Sequence, residues 1–192
     1  MNNKAIIDMI SYYKDEPMVQ HTLKVFGYAQ AIAAGEGIEG SEKDIIEYAA
    51  LFHDVGIPAG IRECGSGAGP IQERLGAPIA MELAKPYLSA EQVERVGYLV
   101  GHHHSFGIKG QRDLQVLFEA DWLVNLVESA GKYKPEVVYE KHFVTETGRQ
   151  FFRWLMMKEK EERENGLFVR GGHAHRKPWR SHAARAGNAG KM

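Results

Sequence analysis

Apolar residues recur at three- and four-residue steps along most of the chain, and the pattern predicts an all-α protein built as a single-domain helical bundle. Ile6, Ile7, Met9, Ile10 and Tyr13 mark a short amphipathic helix that stops before Pro17. A second helix runs from about Met18 to Ala34, with Met18, Val25, Ala29 and Ile32 on one face and Gly35 as its stop. The third starts at a Ser41-x-x-Asp44 cap and carries Ile45, Ile46, Ala49 and Ala50 up to His53. Ala77 to Tyr87 follows, with Pro78 in its first turn. Ser89-x-x-Gln92 caps a helix carrying Val93, Val96, Leu99 and Val100, and a longer one spans about Asp113 to Ala130 before Gly131. Two more are expected near Glu136 to Phe143 and Thr147 to Glu164. No segment alternates as a strand does, and no repeat is visible.

Two segments break the pattern. Gly56 to Gly76 has glycine and proline at breaker density and predicts a long loop, and its place directly after His53-Asp54 favours a functional one. From Asn165 onward the chain is rich in Gly, Arg and His without periodicity. The expectation is a folded domain over 1–164 and a disordered basic tail over 165–192, native or vector-derived.

Composition adds few constraints. At 192 residues, 44% apolar and 26% charged, the chain suits one soluble globular domain. No run of about 18 apolar residues predicts a membrane span. The opening MNNKAIIDMISYYKDEP lacks a signal-peptide core, and the single Cys64 has no disulfide partner, so a reducing, cytoplasmic setting is expected. Gly166 to Met192 carries +6, so at a net charge of −1 the rest of the chain carries −7. An acidic body argues against a nucleic-acid partner. A homodimer is compatible with a small helical domain, but no interface is legible.

The chemistry concentrates at His53-Asp54, which closes the apolar stretch IIEYAALFHDVGIP. At 3.6 residues per turn, His21 falls in line with Met18 and Val25, His53 with Ile46, Ala49 and Ala50, and Asp121 with Leu114, Leu117 and Val124. A lone carboxylate on a buried face is costly, and no Lys or Arg shares that face near Asp121. Most single histidines on apolar faces are ordinary core residues. The His53-Asp54 pair at the end of an apolar helix, with His21 and Asp121 on matching faces, is better explained by a divalent metal: Mn, Fe, Co, Ni or Zn.

The order H…HD…D resembles the HD superfamily of metal-dependent phosphohydrolases over about residues 17–130, and LFHDVGIP, YLVGHHHSFG and FEADWLVNL look like a small bacterial and archaeal HD subgroup. The resemblance implies that His21, His53, Asp54 and Asp121 bind one metal. It also raises a second metal at His102, His103 or His104, with His103 favoured by its spacing. Dinuclear members usually carry a further His in the helix after the loop, where this chain reads QERLGAPIA. A mononuclear site is therefore expected, although Glu73 could substitute as a ligand.

The implied activity is hydrolysis of a small phosphorylated metabolite or nucleotide, a phosphomonoester or phosphodiester, by metal-activated water. Asp54 would orient that water, and Glu73 is the candidate general base. Lys24, Arg62, Arg74 and Lys109 are candidate phosphate contacts, each weighed against a plain solvated role. The run Gly65-Ser-Gly-Ala-Gly69 lacks the pattern of a P-loop. His173, His175 and His182 are left out of the site, and His142 reads as structural. A di-iron oxygenase and a non-catalytic nucleotide-sensing module are the competing functions.

Overall fold

The computed structural model describes residues 3–105, 110–129 and 131–164, with side chains as far as residue 156. Among them lie nine helices and no strand: α1 (Asn3–Tyr13), α2 (Glu16–Gly35), α3 (Gly40–Phe52), α4 (Gly56–Cys64), α5 (Gly69–Ala84), α6 (Ala90–Val100), α7 (Arg112–Glu128), α8 (Pro135–His142) and α9 (Glu146–Glu164). The tail and Lys109 lie outside the described residues.

The central helix is α3, which packs on α2, α6 and α7. Its Ile46, Ala49, Ala50, Leu51 and Phe52 are wholly buried, against Val25, Ala29 and Ile32 of α2 and Leu117, Ala120 and Leu123 of α7 in one core. Each large side chain so buried contributes about 1.5–3 kcal/mol. Local signals set the helix ends. The Asp15 side chain accepts from the Met18 N–H at 3.1 Å to start α2. Ser89 and Gln92 form the expected capping box on α6. Buried Glu119 in α7 accepts from the Val144 and Thr145 N–H groups at 2.6 and 2.9 Å, and so ties the start of α9 to the core.

Two sequence expectations fail. Ser41 does not cap α3, which begins at Gly40 after Glu39 with no side-chain cap. Its hydroxyl instead accepts from Gln92 Nε2 at 3.1 Å, a tertiary bond joining the starts of α3 and α6. The long loop over 56–76 is two helices, α4 and α5, joined by a short link. The glycines that suggested a loop are sites of close packing. A Cβ on Gly56 would run into the Gln72 carbonyl, one on Gly60 would strike Ser66 O at 2.6 Å, and one on Gly76 would crowd Gly56 N at 3.2 Å. α5 therefore starts at Gly69, with Pro70 in its first turn, and Pro78 sits inside it. An interior proline costs a backbone hydrogen bond, and packing on α4 and α6 outweighs it.

Candidate metal centre

Three helices bring the four core residues together. α2 carries His21 and α7 carries Asp121. His53 is the C-cap of α3, and Asp54 follows in the turn before α4. His21 Nε2 lies 3.3 Å from His53 Nε2. It is 3.3 Å from Asp121 Oδ1 and 3.6 Å from Asp54 Oδ2. His53 Nε2 is 3.4 Å from Asp54 Oδ2 and 3.7 Å from Asp121 Oδ1. His53, Asp54 and Asp121 are buried, His53 completely so, and His21 is partly buried.

The far side of each ring fixes what the near side presents. His53 Nδ1 is 2.8 Å from the Ala50 carbonyl, and His103 Nδ1 is 2.7 Å from the Val100 carbonyl. A carbonyl oxygen only accepts, so both Nδ1 atoms carry a proton, and Nε2 is the atom each ring turns inward to bind. His21 Nδ1 likewise faces a carboxylate oxygen, Glu128 Oε2, at 2.8 Å. Three imidazole Nε2 atoms thus converge on two carboxylates, an arrangement that calls for a cation between them, a proton or a metal. His103 Nε2 is buried with no hydrogen-bond partner, 3.5 Å from Asp54 Oδ1. This donor set fits a divalent metal.

Protonation follows the same geometry. Burial works to lower the His21 pKa, yet hydrogen bonds to Asp121 and Glu128 and the charge of Asp54 outweigh it and hold it up at about 10. His103 is also raised: burial opposes charging, and the Asp54 carboxylate overcomes it. Asp54 is held well below the usual carboxylate range, because the surrounding histidines outweigh its desolvation. Asp121 is lowered in the same way, by its bond to His21 and the charge on His53. His104 goes the other way, pushed down to about 4 by burial and then by neighbouring His103.

Two donor groups emerge. His21, His53 and Asp54 each offer an atom within 4.8 Å of the others, and so do Asp54, His103 and His104. Gln72 of α5 explains the orientation of His104. Its Nε2 donates to the Gly67 carbonyl at 2.6 Å, which turns Oε1 toward His104 Nε2 at 2.8 Å. That nitrogen must then carry the proton, and Nδ1 is the free donor.

His102 is placed elsewhere. Its Nδ1 faces the Tyr98 carbonyl at 2.7 Å and its ring stacks on Tyr98. With Glu73 and Arg74 it lines a groove of about 630 Å³ between α5 and α6 that holds none of the four core residues. Glu73 Oε1 accepts from the His104 N–H at 2.8 Å and the Ser105 hydroxyl at 2.9 Å, bracing the histidine turn. Arg74 donates to Cys64 Sγ, and Arg62 pairs with Glu63 on the surface. Of the described phosphate candidates only Lys24 reaches a partner of the core set, through Glu128 at 2.8 Å. His142 stacks on Trp122 and Phe118.

Three contributors escaped the sequence reading. Glu128 lies two turns after Asp121, a spacing that puts both on one face of α7 and could have revealed it. Gln72 fell in the stretch read as loop. Tyr12 of α1 donates to the Val55 carbonyl at 2.9 Å and steadies the turn after Asp54. Only the fold reveals that contact.

The HD-domain family model matches residues 18–126. No curated protein matches the chain. Among solved structures, a predicted HD superfamily hydrolase from an uncultured Thermotogales bacterium superposes with a TM-score of 0.63 at 22% sequence identity, over 86% of this chain and 91% of that one. Likeness at that identity speaks for the fold. The family match spans more than half of the sequence and takes in His21, His53, Asp54 and Asp121, so the chain belongs to the HD-domain family.

Proposed function

We propose that the protein is a metal-dependent phosphohydrolase acting on a small phosphorylated metabolite or nucleotide, a phosphomonoester or phosphodiester. The observation that carries this reading is the convergence of the Nε2 atoms of His21 and His53 on Asp54 and Asp121, with each Nδ1 held from behind. When bound, a divalent metal supplies Lewis acidity and a coordinated water acidic enough to ionise near neutral pH.

The protein's own part is to position and to exclude water. His53, Asp54 and Asp121 sit in the core and hold their geometry without rearrangement. Asp54 faces both histidine groups, Oδ2 toward His21 and His53 and Oδ1 toward His103, so it is placed to orient the attacking water. Glu73, already committed to the His104 N–H and Ser105, is read as a brace for the histidine turn rather than as a free base. Side-chain exposure rises outward from His21 at 13% through Glu128 at 33% to Lys24 at 52%. Substrate is therefore read as approaching from the Lys24 side.

The Asp54, His103 and His104 group supports a second metal. That favours a dinuclear centre over the mononuclear one expected from QERLGAPIA, with Gln72 facing His104 from the helix where a further His was sought. A dinuclear centre also keeps the di-iron oxygenase alternative open. Metal analysis of the purified protein beside its Asp54→Ala variant, followed by a phosphatase substrate screen, tests the reading. One or two Mn, Fe, Co, Ni or Zn ions per chain, with hydrolysis lost in the variant, supports it. Two irons with a mixed-valence spectrum and no hydrolysis would move the oxygenase ahead. Stabilisation by nucleotides without turnover would point to a sensing module.

A further inference from the structure

The three inward-facing histidines are backed in two different ways. His53 and His103 lean on backbone carbonyls, Ala50 and Val100, which no side-chain substitution removes. His21 leans on a side chain alone: its Nδ1 meets Glu128 Oε2 at 2.8 Å, across from α2 to the last turn of α7. The second oxygen, Oε1, accepts from Lys24 Nζ at 2.8 Å, one turn beyond His21 on α2. The carboxylate therefore bridges two positions of α2 and pins the imidazole between itself and Asp121.

We infer that Glu128 is the positioning residue of the centre: it fixes the His21 ring with Nδ1–H outward and Nε2 inward, and so sets the affinity of the site for its metal. The inference rests on the metal-binding reading above and extends it to a residue outside the ligand set. First, a carboxylate at hydrogen-bond distance can only accept, so it leaves Nε2 as the binding atom. Second, a negative partner makes the ring a better donor than a carbonyl does, and partners of this kind typically shift metal affinity by about 10–100-fold. Third, His21 is the most exposed of the His21, His53 and Asp54 group, and among the described residues Glu128 is the one partner of its outer nitrogen, so without Glu128 the ring is held only from the inner side. Lys24, offered by sequence as a phosphate contact, takes a second role as the counter-charge that keeps Glu128 in place.

The test compares Glu128→Ala, Glu128→Gln and Lys24→Met with the wild type by chelator competition for Mn and Zn, beside the melting temperature of each metal-free protein. Glu128→Ala is expected to weaken metal binding by about 10–100-fold and to lower the metal-free melting temperature modestly, since Glu128 is partly exposed yet helps hold His21 charged. Glu128→Gln keeps an oxygen that can accept and is expected to restore much of the loss. Lys24→Met is expected to change metal affinity least. In proton NMR of the metal-free protein, the His21 Nδ1 proton should be protected from exchange in the wild type and unprotected in Glu128→Ala.

Metal affinity within twofold of wild type in Glu128→Ala, with the His21 proton still protected, would overturn the assignment. So would a melting temperature that falls alike in Glu128→Ala and Lys24→Met with unchanged affinity, since that is the signature of a purely structural ion pair. If the wild type takes up no metal at all, the phosphohydrolase reading fails on its own. The NMR comparison then still decides whether Glu128 holds the ring.

Discussion

Asp54 looks onto two groups of histidines that are built differently. On one side, His21 and His53 project from long helices packed through the core, and Asp121 of α7 completes the set. On the other, His103 and His104 sit in the turn after α6. His104 is oriented by the Gln72 side chain, which itself hangs from the Gly67 carbonyl. The first group inherits its precision from helix packing. The second depends on a chain of polar contacts, and each link in it can relax. If both groups take metal, the first should hold it more tightly.

The sharpest way to break this contrast is Asp54→Ala, because Asp54 is the shared member. Metal content should fall to background at both positions, and any hydrolysis with it. Retention of one tightly held ion would show that the two groups are independent after all. His103→Ala should separate them: elemental analysis is expected to find the first ion kept and only the second missing.

Acidity sharpens the comparison next. With its pKa raised to about 10, His21 is protonated in the metal-free protein at neutral pH, so metal must displace a proton. Affinity at the first group should then drop by about tenfold for each pH unit and each proton released. The sign for folding is separate. The raised His21 value stabilises the metal-free fold fully below its ordinary value of 6.5, and that contribution is lost as pH rises through about 10. Metal affinity that stays flat between pH 6 and 8 (a range set by the ordinary histidine value) would contradict this.

Smaller effects should come from the supports. Gln72→Ala removes the partner of His104 and is expected to weaken only the second ion, by about tenfold. Equal weakening at both sites would mean that the two groups move together. Tyr12→Phe deletes the hydrogen bond to Val55 and should cost about 1 kcal/mol, seen as a small drop in melting temperature with the metal count unchanged.

Legibility in the sequence follows the same division. α2, α3 and α7 carry apolar stripes at helical spacing, so their bounds and the inward faces of His21, His53 and Asp121 were readable. The α4–α5 segment was not, because glycine has two meanings. In a single sequence it reads as a breaker, yet at Gly60 and Gly76 it clears space for a neighbouring backbone. Missing α5 hid Gln72, and with it the reason why His104 faces Asp54. Glu128 shares a face of α7 with Asp121, a local signal that was available, whereas the partner of Tyr12 lies 43 residues away and no local pattern announces that contact.

Gly56 carries a consequence for how such a protein can change. The backbone there lies so close to the Gln72 carbonyl that any side chain would displace α5. Gln72 is also the support of His104, so the position after Val55 and the far rim of the pocket cannot drift apart one substitution at a time. A lineage that altered residue 56 would have to shift α5 in the same step. This part of the sequence should therefore vary, if it varies at all, in correlated blocks.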